Sequence, residues 1–294
     1  MPVPPLRPAE LRGRVFRGTW AVGAGLLTEQ QLRSTAWRRL RRDVYADAEL
    51  TVDHQLLARG VSLVMPRAAA LGGRTAAVLW GLDDLASADD PVEVVVPPGT
   101  RWTPGPGVRV RSALLAGDVV RSGPAMRWTS RVRTAVDLIC RDEGDESVVL
   151  LDRLVTARVV TLADVRAAVA ALPPGSRGIV AARRTASLAD GLAESPPETR
   201  LRLLLHRSEL PRPVAQFDVR VDGRWVARVD FAWPDRRVAL EYDGAWHGDV
   251  AQFPEDRRRL NRIAAAGWRV HFVTKQDMRR PAALLAGLAA ALAG

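Results

Sequence analysis

The residues best placed to do chemistry are two acids at the end of an apolar run, in Arg237-Val238-Ala239-Leu240-Glu241-Tyr242-Asp243, stopped by Gly244. The run has the composition of a strand. Side chains alternate along a strand, so Val238, Leu240 and Tyr242 would line one face, and Ala239, Glu241 and Asp243 the other. Two carboxylates projecting together repel each other and are costly to bury unpaired. A hard divalent cation removes that cost, and Mg²⁺ takes carboxylate oxygens together with waters. Asp230 ends the preceding strand, and the Pro234-Asp235 turn brings it beside Glu241. Asp230, Glu241 and Asp243 are therefore expected to converge closely enough to share one ion. The plainer alternative is that Glu241 and Asp243 face solvent, or pair with Arg202, Arg228 or Lys275.

Other elements must position these acids. Pro197-Glu198 opens a helix whose Leu201, Leu204 and Leu205 form one apolar face, and Ser195-Pro196-Pro197 reads as a hinge before it. Val214 to Val221 and Trp225 to Phe231 read as a hairpin with Asp222-Gly223 at its turn. Phe253 to Ala266 is predicted as a helix ended by Gly267. Trp268 to Val273 follows as a fourth strand, and Pro281 to Ala291 as a closing helix.

The segment Val229-Asp230-Phe231-Ala232-Trp233-Pro234, continued by Glu241-Tyr242-Asp243-Gly244-Ala245-Trp246-His247, resembles the very-short-patch-repair-like (Vsr-like) endonucleases of the PD-(D/E)XK restriction-endonuclease-like superfamily. Pro196-Pro197-Glu198 precedes it. Asp256-Arg257-Arg258-Arg259-Leu260-Asn261 and Gly267-Trp268-Arg269-Val270 follow in the same order, so the resemblance covers about residues 190–294. It implies a mixed sheet flanked by helices and an endonuclease that uses Mg²⁺ or Mn²⁺. Asp230 would be the central metal ligand, and Glu241 would bind metal or orient water. Asp243, taken as a further ligand, stands where the superfamily usually has lysine. The charge that polarises the attacking water must then come from a second metal or from His247, or be absent. His247 matches a histidine able to act as acid or base; a core or rim residue is its plain alternative. Glu198 matches a carboxylate that completes the site; alternatively it is an acid favouring a helix N-terminus. Asp256 and Arg259, three residues apart, also suit a simple ion pair. Arg257, Arg258 and Arg262 would meet backbone phosphates. The implied reaction is phosphodiester hydrolysis by a metal-activated water attacking in line.

The first part of the chain carries different signals. Residues 1–65 read as short helices. Thr28 with Gln31 three places on is a capping-box pattern, Trp37 to Arg42 reads as a basic helix, and Asp43 to Ala46 as a short strand. That is the order of a winged helix-turn-helix, in which Arg38, Arg39, Arg41 and Arg42 would face phosphates; a solvated helix face is the alternative. Thr75 to Leu82 is a small apolar helix, Val92 to Val96 and Val108 to Arg111 are strands, and residues 130–187 are mostly helical. Gly25-Leu26-Leu27-Thr28, Arg39-Leu40 through Val44-Tyr45-Ala46, and Thr129 to Leu138 resemble the AbiEi-type antitoxin or transcriptional-regulator family over roughly residues 1–170. This implies a DNA-binding winged-helix region.

The whole is expected to be α/β (α+β) in two domains, residues 1–190 and 191–294. The 294 residues suffice for two cores, and a net charge of +10, almost all arginine, suits a polyanionic partner. Four scattered histidines and the single Cys140 build no local zinc site, and no P-loop, GxGxxG or GxSxG run is present. No apolar run is long enough to span a membrane and the Pro- and Arg-rich first residues hold no apolar h-region, so a cytoplasmic protein is expected. DNA is the expected partner. A protein partner through the helical middle is a third possibility, and a DNA-binding regulator that keeps a nuclease fold without its chemistry is the alternative function.

Overall fold

A computed structural model of the chain describes residues 5–115, 117–123, 125–141, 144–243 and 253–294, with backbone alone for 253–257. Two compact units are formed, Met1–Leu138 and Ile139–Gly294.

In the first unit, β1 (Val15–Arg17), α1 (Gly18–Gly23), β2 (Trp37–Arg41) and β3 (Val44–Asp47) build a three-stranded sheet in the order β1-β3-β2. The basic helix expected over Trp37 to Arg42 is therefore a strand of a hairpin. Its turn is held at Asp43, which adopts φ 59°. The Asp43 carboxylate accepts the Thr19 N–H (2.7 Å), the Thr19 hydroxyl (2.9 Å) and Arg17 Nε (2.8 Å). Trp37 is buried edge-on against Phe16, with ring centroids 5.2 Å apart. These long-range anchors outweigh the tolerance of arginine for helix. Thr28 and Gln31 make the expected reciprocal bonds (2.8 and 3.2 Å), but they close only a 3-10 turn, Gln31–Arg33.

A second sheet follows in this unit. After α2 (His54–Ser62), the strands β4 (Ala70–Leu71), β5 (Val92–Val96), β6 (Val108–Ser112), β7 (Val119–Ser122) and β8 (Met126–Thr129) take the order β6-β5-β4-β8-β7. Helix α3 (Gly73–Leu79) lies between β4 and β5 in the chain, and α4 (Arg131–Ile139) follows β8.

The second unit begins with α5 (Asp145–Thr156), α6 (Leu162–Ala170), α7 (Ile179–Leu188) and α8 (Pro196–Arg207). A boundary near residue 190 was expected, whereas the units divide between Leu138 and Ile139. Asp152 of α5 supplies the reason. Its carboxylate is 1% exposed and accepts Arg202 Nη2 (2.7 Å), Thr199 Oγ1 (3.0 Å) and the N–H groups of Asp190 (3.1 Å) and Gly191 (2.9 Å). Separating α5 from α8 would strand a buried charge, at a cost of about 3–5 kcal/mol. Nor is Ser195-Pro196-Pro197 a hinge. Ser195 caps α8, and the two prolines fill its first positions, where a missing N–H costs nothing.

The remaining elements are β9 (Val214–Val221), β10 (Arg224–Trp233), β11 (Val238–Asp243), α9 (Phe253–Ala265), β12 (Arg269–Thr274), α10 (Lys275–Met278) and α11 (Pro281–Ala293). Asp222 (φ 48°) and Gly223 (φ 77°) supply the two positive φ angles of a tight hairpin turn between β9 and β10. The sheet runs β12-β11-β10-β9 and is mixed: β9, β10 and β11 are antiparallel, and β12 is parallel to β11. Leu201 and Leu205 of α8 and Leu288 and Leu292 of α11 pack on Phe231, Trp233, Val238 and Leu240. On the other face Ile263 of α9 packs with Ala232 and Ala239. The fold is α+β, with a mixed sheet flanked by helices. Among the described residues no helix is long and apolar enough to cross a membrane.

Candidate active site

Strand register brings the first two acids together. Phe231 pairs with Leu240 and Ala232 with Ala239, so Asp230 and Glu241 come next along the two paired strands, near enough for Glu241 to repel the Asp230 carboxyl. Like charges on neighbouring strands are destabilising. Glu241 is buried, at 9% exposure. Arg259, one helical turn before Ile263 on α9, forks onto it: Nη1 donates to Oε2 (2.9 Å) and Nη2 to Oε1 (2.5 Å). Nη2 also donates to the Arg228 carbonyl (2.7 Å). Arg259 thus reaches across to the sheet, while the side chain of Asp256, its expected partner, lies outside the described residues. Arg202 and Arg228, considered as partners for the acids, turn to Asp152 (2.7 Å) and Asp218 (3.1 Å).

Asp230 has a different environment. Its Oδ2 accepts the Tyr242 N–H at 2.8 Å. Burial above all, with repulsion from Glu198 and Glu241, pushes its carboxyl up to about 7, against the pull of the Tyr242 N–H and Arg259. Two acids from different elements therefore act on a third.

Glu198, 8% exposed, comes from the first turn of α8. Its Oε2 accepts the Glu194 N–H (2.8 Å) and Gln216 Nε2 (3.1 Å), and its Oε1 accepts the Ser195 hydroxyl (2.7 Å). Helix capping and proximity to Asp230 are thus combined in one residue. Gln216 was not singled out from the sequence. It sits within β9 at φ 49°, a left-handed conformation costing roughly 1–2 kcal/mol for a residue with a side chain. The signal available was only a polar residue between Ala215 and Phe217. Gln216→Val is expected to destabilise the chain by about 1–3 kcal/mol in urea unfolding, whereas Gln216→Gly stays near wild type because strain relief offsets the lost bond to Glu198.

Asp243 shares the Glu241 face by alternation but stands exposed at the end of β11. Among the described residues no three His, Cys, Asp or Glu side chains are grouped closely enough to hold a metal ion, so the expected triple convergence of Asp230, Glu241 and Asp243 is not formed there. His247 lies outside the described residues, as does the side chain of Arg257.

No family model matches the chain. Two Mycobacterium tuberculosis proteins, "Uncharacterized protein Rv2248" of strain H37Rv and "Uncharacterized protein MT2308" of strain CDC 1551, are each 33% identical to it over 266 residues, covering 88% of this chain and 95% of theirs. The chain belongs to their family. Among solved structures, the Rv2827c protein of Mycobacterium tuberculosis matches with TM-score 0.41 and 14% identity, over 73% of this chain and 86% of that one.

In this member of the Rv2248 family, the arginines read as phosphate contacts fall in two places. On the β2–β3 hairpin Arg38, Arg39 and Arg42 are exposed, while Arg41 donates to the Pro104 carbonyl at 2.5 Å. On α9, Arg258 and Arg262 are exposed one turn apart, beside the sheet-facing pair Arg259 and Ile263.

Mg²⁺ is commonly held by one or two carboxylates, with water and substrate phosphate filling its other positions. Asp230 and Glu241 meet that requirement, provided Arg259 yields at least one Glu241 oxygen. Glu198 is close enough to repel Asp230, yet its two oxygens are occupied by its own cap and by Gln216.

Proposed function

We propose that the second unit is a divalent-metal-dependent endonuclease acting on DNA, with binding assisted by the basic hairpin of the first. The observation that carries this reading is the meeting of two acids on paired strands, Asp230 of β10 and Glu241 of β11, with Glu241 repelling the buried Asp230 carboxyl. Two acids brought together within an apolar sheet weaken the fold, and a hard cation is the partner that turns them into an asset. Asp230 and Glu241 would hold Mg²⁺ or Mn²⁺. When bound, the ion supplies a Lewis acid for the phosphate and a water of lowered pKa. The chain's own residues do the rest. The Tyr242 N–H holds Asp230 Oδ2, fixing the carboxylate's orientation, while Arg258 and Arg262 take backbone phosphates. Incubating the full chain with supercoiled plasmid tests this: nicking is expected with Mg²⁺ or Mn²⁺ and none in a chelator.

A second reading has its own observation. The forked Arg259–Glu241 pair neutralises one of the two acids, as a DNA-binding regulator with a retired nuclease fold would do. That protein would bind DNA with strong salt dependence and no response to divalent ions beyond screening.

A further inference from the structure

Asp243 occupies the strand position where the resemblance calls for a lysine, and the cation beside the acidic pair comes instead from α9. Its placement is set by packing: Ile263, one turn on, is fully buried against the sheet, so Arg259 is held over Glu241. Among the described residues the guanidinium bonds to both Glu241 oxygens and to the Arg228 carbonyl. Glu241 cannot give both oxygens to this fork and also ligate an ion. A guanidinium remains charged at every relevant pH, and its planar fork fits a phosphate as well as a carboxylate.

We propose that Arg259 is an exchange residue: it neutralises Glu241 while no ion is bound and transfers to a DNA phosphate when a divalent ion takes the carboxylate. This rests on the metal-dependent reading given above. The exchange explains how the acidic pair is tolerated in a folded metal-free chain. It also makes metal and DNA favour each other's binding, because each removes a competitor of the other.

The test is a calorimetric titration of Mn²⁺ into the full chain, comparing wild type, Arg259→Gln, Arg259→Lys and Asp230→Ala, with thermal unfolding alongside. Arg259→Gln removes both the competitor and the like charge, so Mn²⁺ should bind about tenfold tighter or more, which corresponds to ~1.4 kcal/mol. Arg259→Lys keeps the charge but loses the fork, safeguards folding, and should fall between. Mn²⁺ should also raise the unfolding temperature of Arg259→Gln more than that of wild type. Unchanged or weaker Mn²⁺ binding in both arginine variants, with wild type binding normally, makes Arg259 a structural anchor and overturns the exchange while leaving the metal site standing. If Asp230→Ala binds Mn²⁺ as wild type does, or no protein binds it, the metal-dependent reading fails and the exchange with it.

Discussion

Asp230→Asn is expected to raise, not lower, the unfolding temperature of the metal-free chain at pH 8. In the fold the Asp230 carboxyl is pushed up to about 7 from the ordinary 3.8, chiefly by burial. A group whose folded pKa is raised binds its proton more tightly in the native state. For a carboxyl this means that the ionised form is penalised on folding. The penalty is absent below pH 3.8, grows as pH rises toward 7, and is complete above it. At full weight the difference between about 7 and 3.8 corresponds to ~4 kcal/mol. Partial solvent screening of this half-buried group lowers that to ~2 kcal/mol. Asparagine keeps an oxygen to accept the Tyr242 N–H and carries no charge. At about 2–4 °C per kcal/mol, the variant should melt roughly 4–8 °C higher. The gap should narrow steadily from pH 7 to pH 4. A variant that melts lower than wild type at pH 8 would mean that Asp230 is a paired structural acid. Saturating Mg²⁺ should close or reverse the gap, because only wild type gains the binding energy.

Cleavage should respond in the opposite sense. Asp230→Ala, Asp230→Asn, Glu241→Ala and Glu241→Gln are each expected to lower the rate of plasmid nicking at least on the order of 10³-fold, or ~4 kcal/mol of barrier. Stability separates the two positions. Glu241→Ala leaves the Arg259 guanidinium facing the sheet without its carboxylate, which should cost about 3–5 kcal/mol in denaturant unfolding. Glu241→Gln retains an acceptor and should cost less. A variant at position 230 that melts higher yet cleaves nothing is the signature of a residue kept for function against the interest of the fold. Cleavage at wild-type rates by these variants would assign the activity to something other than this pair.

Where a residue's role was set by neighbours in the chain, the sequence alone revealed it. The alternation of Val238, Leu240 and Tyr242 against Ala239 and Glu241 placed the two faces of β11, and Asp222-Gly223 placed the hairpin. Both follow from period-two geometry and from the φ a turn demands. Contacts between distant segments were not legible. Arg259 has Asp256 three residues away, so an ion pair along the helix was the local expectation. Its distance from Glu241 across the fold is visible only once α9 lies on the sheet. Trp37 to Arg42 misled because the turn at Asp43 depends on Thr19 and Arg17. Nor did composition show that α5 to α7 belong with the second unit. That depends on Asp152 collecting donors from Arg202, Thr199, Asp190 and Gly191. The strained Gln216 escaped notice because positive φ at a non-glycine residue is imposed by its surroundings.

The decisive measurement is nicking of supercoiled plasmid by wild type and Asp230→Ala, purified in parallel and assayed at equal concentration with Mg²⁺ and with chelator. Open-circle product is expected from wild type with Mg²⁺ alone, and none from the variant under either condition. Equal nicking by both proteins, or none from either with Mg²⁺ or Mn²⁺, would contradict the metal-dependent reading.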